Sequence, residues 1–168
     1  MKKFLIGLLA GLGLCLAVEY LFLTRGGMPV PTKGGPLPFE RKIARAALRS
    51  AMGKEDERPS PIPADEINLT AGARVYHEQC AVCHGDWGQP ASAIAKGMFP
   101  VPPQLLPPKK GVTDDPVGET YWKAKNGIRL TGMPGFESTL SDTELWQVSL
   151  LLLHAAELPP SAQAALRR

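Results

Sequence analysis

The pentapeptide Cys80-Ala81-Val82-Cys83-His84 constrains this 168-residue chain more than any other feature. Two thiols three positions apart can add to the two vinyl groups of one haem, and the adjacent imidazole then stands under the iron. The spacing predicts one covalent haem c, attached through Cys80 and Cys83, with His84 as an axial iron ligand. A thioredoxin-like dithiol would need an alternating strand and helix context, and a zinc site would need two more ligands. Neither context is present: Cys15 lies in a distant apolar segment, and the sequence has no second Cys pair and no close His pair.

An electron-carrying iron wants a second strong-field ligand, and methionine raises its potential by favouring Fe(II). Five methionines compete. Met1 and Met28 lie in or beside the amino-terminal apolar run, and Met52 lies in a linker. Met98 follows His84 by only 14 residues, a short path to the opposite haem face, and reads as an apolar neighbour of the haem edge. Met133 follows by 49 residues, between Gly132 and Pro134, in a loop that can hold a side chain without helix geometry, and is the expected ligand. His77 reads as a surface residue and His154 as a helix-terminus cation. Tyr121 and Trp122 are aromatic candidates for the haem surroundings, with core packing as the equal alternative.

Gly72 through Gly85, carrying Tyr76 and the Cys-Ala-Val-Cys-His motif, is similar to the amino-terminal helix and haem loop of class I mono-haem cytochromes c. Trp122 to Phe136, with Thr131-Gly132-Met133-Pro134-Gly135, resembles their distal segment, and Ser141 to Trp146 the start of their last helix. The resemblance covers residues 65–157 and is closest to the small cytochrome c domains of bacterial respiratory oxidases and dehydrogenases. It implies an all-α, class I cytochrome c fold around one covalent haem. It further implies an electron carrier rather than an enzyme, with redox proteins of membrane respiratory complexes as partners and no small-molecule substrate. A role as cytochrome subunit of a dehydrogenase or oxidase complex is the alternative. A haem enzyme or sensor would need an open sixth position with distal acid and base groups, and no His/Arg pair stands beside Met133. In such proteins a proline-rich loop carbonyl orients the imidazole, which points to Pro102 or its neighbour Pro103.

The pattern predicts helices over 68–79, 115–126 and 141–156, the last opened by a Ser141/Glu144 capping box. The first and last helices are expected to cross at Gly72, with Tyr76 and Trp146 alongside, and a Gly/Pro-rich loop over 85–113 to wrap one side of the haem. The domain is expected over 64–158, followed by a tail at 159–168.

Before it, Phe4 to Leu23 is a 20-residue run whose ionisable side chains are Cys15 and Glu19. At about 1.5 Å per residue it spans roughly 30 Å, the hydrocarbon thickness of a bilayer. With Lys2 and Lys3 before it and no convincing small-residue cleavage site after it, residues 1–24 read as a retained signal anchor. That places the haem domain in the periplasm, on a single-pass anchor in a bacterial inner membrane. Residues 25–63 hold seven prolines and read as linker, interrupted by a basic helix over Glu40–Met52. Residues 1–63 carry 10 basic and 5 acidic side chains and residues 64–168 carry 9 and 11, so the positive excess belongs to the tether. A nucleic-acid groove is not indicated. Lys123, Lys125 and Arg129 are candidates for a rim that docks an acidic partner. A retained anchor should keep the protein in the membrane pellet through high-salt and carbonate washing; a soluble protein whose amino terminus lies beyond Tyr20 would mark the segment as a cleaved signal.

Overall fold

A computed structural model describes residues 1–107 and 115–167; the end of the expected 85–113 loop and residue 168 lie outside the described residues. Among the described residues every regular element is helical. The chain divides into two compact units, Met1–Arg41 and Lys42–Arg168.

The first unit is dominated by α1, Lys2–Thr24, whose residues are exposed along its whole length. It is long and apolar enough to cross a membrane. Its last turn closes with the Thr24 hydroxyl donating to the Tyr20 carbonyl at 2.7 Å. Where α2 (Glu40–Met52) begins, the Glu40 carboxylate accepts the Leu37 N–H at 2.6 Å.

The second unit is built on α3 (Glu66–Val75), α6 (Val117–Asn126) and α7 (Asp142–Leu153). Each starts or stops for a local reason. The Asp65 side chain accepts the Asn68 N–H at 2.9 Å and caps α3, a contribution of about 1 kcal/mol. Ser141 and Glu144 form the reciprocal capping box on α7. The α6 helix follows Pro116 and stops at Gly127. A π-helical turn, Tyr76–Cys80, prolongs α3 directly into the single turn α4, Ala81–His84, and a short α5, Ala93–Gly97, follows.

Helix α7 crosses α3 at Gly72, where a Cβ would collide with the Gln147 carbonyl; no other residue permits that approach. Leu69, Ala73 and Tyr76 pack there with Val148, Leu151 and Leu152, all buried. Leu150, Leu151 and Leu152 are buried and Leu153 is exposed, so α7 buries more than one face. Trp146 turns away from Tyr76 into a second cluster with Leu145 and Tyr121, stacking on Tyr121 with ring centroids 3.9 Å apart. Tyr76 and Trp146, expected alongside the crossing, are both buried, in two separate clusters.

Two boundaries differ from the sequence reading. The segment 159–168, expected as a tail, holds α8, Pro160–Ala165, whose Ala162 and Ala165 are buried with Leu158 and Leu166. Ser161 binds it to α3 through the Thr70 hydroxyl at 2.9 Å and the Glu66 carboxylate at 2.7 Å. The segment from residue 42, expected as linker, belongs to the same unit as the haem motif. Met52 is buried, Ile62 packs against both clusters, and a 3-10 turn at Glu55–Glu57 lays its carbonyls against Gly118 of α6. The Arg58 guanidinium sits 5.3 Å from the Tyr121 ring centroid and 5.4 Å from that of Trp146. Proline density forbids a core made by the segment alone, but the segment borrows one from its neighbour.

A fragment beginning at residue 39 should match the full chain in urea denaturation of its folded domain. One beginning at residue 64 should lose about 2 kcal/mol or more, the scale of burying one Met52-sized side chain; equal midpoints would return the boundary to residue 64.

Candidate functional site

The π turn widens the helix by one residue just before Cys80, a feature that recurs at functional sites. It delivers Cys80, Cys83 and His84 onto one short turn, which ends at Gly85 with φ of +83°. A side chain at Gly85 would be strained by that φ and would strike the Gln104 amide.

Residues 103–105 grip this turn. The Pro103 carbonyl accepts from His84 Nδ1 at 2.8 Å, the Gln104 amide donates to the Cys83 carbonyl at 3.2 Å, and the Leu105 N–H donates to the His84 carbonyl at 3.0 Å. From the other side the Tyr76 hydroxyl donates to the Gly85 carbonyl at 2.7 Å and reaches that of His84 at 3.2 Å. Committing Nδ1 to a carbonyl fixes the tautomer and leaves Nε2 with its lone pair free for a metal. Burial holds the His84 pKa below its ordinary value, the Pro103 bond opposing it, so the neutral, ligating imidazole is favoured. Burial also lifts the Tyr76 hydroxyl well above the usual range, reinforced by Cys80 and Asp86, so it stays a donor.

The orienting carbonyl is that of Pro103, and Pro102, the first of the two expected positions, lines the cavity without making that bond. Gln104, Leu105 and the Tyr76 hydroxyl were not anticipated as supports. Tyr76 carried a signal, an aromatic four positions before Cys80; Gln104 carried none.

Cys80, Cys83, His84, Met98 and Met133 line one cavity of about 280 Å³, walled by Ile128, Phe136, Val148, Leu152 and the 100–103 prolines. Burial, with Cys83 close by, pushes the Cys80 thiol up to about 12, an environment suited to a neutral sulfur. The Met133 backbone is pinned at both ends: its N–H donates to the Thr131 hydroxyl at 3.1 Å, and its carbonyl accepts the Ile128 N–H at 3.2 Å. Met98 lies with its methyl against Gly132, packed on the Met133 loop. Two thiols on one turn, an imidazole with a free Nε2 and a thioether on a fixed loop, all on one apolar cavity, form a donor set that fits a haem c.

Tyr121 and Trp122 do not line this cavity, where α6 presents Thr120, Lys123 and Ala124 instead. Tyr121 faces the core and its hydroxyl bonds to the Asp142 carboxylate, while Trp122 is half-buried. His77 pairs with Asp86 at 3.2 Å and His154 caps the end of α7; neither lines the cavity. The lysines expected as a docking rim are already engaged. Burial works against the Lys123 charge, but Asp115 at 2.8 Å and Glu119 at 2.5 Å outweigh it and raise its pKa. Lys125 bonds to the Tyr121 hydroxyl at 3.2 Å and lies 3.6 Å from Glu137.

The family model described as cytochrome c oxidase, cbb3-type, subunit III matches residues 67–150, half of the chain. No curated protein and no solved structure matches.

Tyr76→Phe should lower the unfolding free energy by about 1–2 kcal/mol, because it strips a donor from a buried carbonyl. Denaturant midpoints read this, and an unchanged midpoint would show that the hydroxyl holds nothing.

Proposed function

The chain belongs to the family of cytochrome c domains described as cytochrome c oxidase, cbb3-type, subunit III, and on that premise we propose that it carries single electrons between respiratory-chain partners from a membrane tether. As a cytochrome c it is an electron carrier of the all-α class. The observation that carries the finer reading is the meeting of Cys80, Cys83, His84 and Met133 on one apolar cavity. Haem c, when bound, supplies a one-electron iron couple. Cys80 and Cys83 would hold one such haem through two thioethers, and His84 Nε2 and the Met133 thioether would ligate its iron. The Pro103 carbonyl fixes the imidazole orientation, and the pinned Met133 backbone would hold its thioether ready to ligate. The apolar walls keep water from the cavity, and a thioether ligand favours the reduced state.

The helix α1 anchors the domain to the inner membrane, and the domain works on the periplasmic side; the length and composition of α1 support this. The description of the matching family favours a second, narrower reading, that the chain is a cytochrome subunit of a terminal oxidase of the cbb3 type. Mild detergent extraction followed by native electrophoresis and haem staining separates the two: a haem band at the size of an oxidase supports the subunit, a small band the independent carrier.

Acid-acetone extraction should leave one haem per chain on the protein, with a pyridine haemochrome spectrum of two saturated vinyl groups. In the ferric protein Met133→Ala should abolish the weak far-red sulfur-to-iron band and lower the potential. Its persistence there, with loss in Met98→Ala, would move the ligand to Met98.

A further inference from the structure

Helix α2 precedes the residues matched by the family model, yet its carboxy-terminal half reaches the haem cavity. Arg45, Leu48, Arg49 and Met52 stand at the i, i+3, i+4 and i+7 positions of one helical face. Leu48 is part of the wall of the apolar cavity, and Met52 is buried. Between this face and α6 lies a second cavity of about 490 Å³. It shares Leu48, Pro103, Asp115 and Lys123 with the first, so the two are neighbours across a common wall.

The second cavity is the charged one. Lys123 spends its charge on Asp115 and Glu119. Arg45 and Arg49 line the same opening, and neither forms an ion pair among the described residues. Two guanidiniums thus stand unneutralised at the polar side of an apolar cavity. A haem carries two carboxylates, the propionates, on one edge, and leaving them unpaired in an apolar cavity would be costly. A guanidinium presents a planar fork that matches a carboxylate in two parallel hydrogen bonds.

We propose that Arg45 and Arg49 are the partners of the haem propionates, which makes the carboxy-terminal half of α2 a cap on the haem site supplied from outside the residues matched by the family model. The proposal rests on the covalent haem site proposed above. The aliphatic members of the face, Leu48 and Met52, seat the helix, and the two arginines supply the charge that an apolar cavity lacks. Glu119 and Asp115 share the opening and are held by Lys123, so the arginines are left to an incoming carboxylate.

The test uses the full-length chain loaded with haem, and reads the reduction potential from pH 5 to 9. A nearby positive charge disfavours the ferric state and keeps a carboxyl ionised. The double variant Arg45→Gln/Arg49→Gln should therefore have a lower potential than the parent. The pH at which its potential bends should rise by roughly one unit or more, the usual scale for losing a close opposite charge. Arg45→Lys/Arg49→Lys should recover most of the potential. Arg74→Gln, which removes one charge from the exposed face of α3, should leave both readings unchanged. Both side chains on α2 are exposed, so folding is not at stake. Should the double variant still load poorly, each single variant should show part of the same shift. A potential and pH profile equal to the parent's, or a change that Arg74→Gln reproduces, would overturn the proposal. A parent chain that carries no covalent haem would instead overturn the site on which it rests.

Discussion

The bond from His84 Nδ1 to the Pro103 carbonyl is the constraint on which the site depends. An imidazole free to rotate offers either nitrogen in any direction; one that has spent its proton on a fixed carbonyl offers a single lone pair along a single line. Fixing that carbonyl requires fixing residues 103–105, and the Gln104 and Leu105 bonds to Cys83 and His84 do so. Fixing the His84 backbone in turn requires Tyr76, whose ring lies in the α3 and α7 core while its hydroxyl reaches the loop. The helix crossing at Gly72 and the orientation of the His84 imidazole, the proposed iron ligand, twelve residues later are therefore parts of one mechanical chain.

What was legible in the sequence was what is local. The capping box of Ser141 and Glu144 is written in four consecutive residues, and it forms as read. The Gly72 crossing follows because one residue without a side chain opens a helix face to close approach. The choice between Pro102 and Pro103 is different in kind. A one-residue shift in an extended loop reverses which carbonyl faces the imidazole, and nothing in the run of prolines sets that register. Tyr121 was ambiguous for a similar reason: α6 offers the cavity one face and the core another, and an aromatic is welcome on either.

The two boundary differences have a common origin. Proline after proline looks like an end to structure, yet a proline at the first position of a helix gives up an N–H that had no partner. Pro160 starts α8 in this way, and the spacing of Ala162, Ala165 and Leu166 then places apolar groups in the core shared with α3. Residues 42–63 are read as spacer for as long as their own composition is considered alone. Their burial comes from α6 and α7, through Gly118 and the stacked Tyr121 and Trp146 rings that Arg58 covers.

The packing of α8 against α3 joins distant parts of the chain. Ser161 meets Glu66 across 95 positions and Thr70 across 91, and Gln147 meets Asn68 across 79. Contacts so distant in sequence close late, because the intervening loop entropy must be lost before they stabilise anything. The helix that leads into Cys80 therefore takes its covering partners from 79 to 95 positions further along the chain. The support of the helix that leads to the two thiols is thus completed by residues that lie far beyond them in the chain.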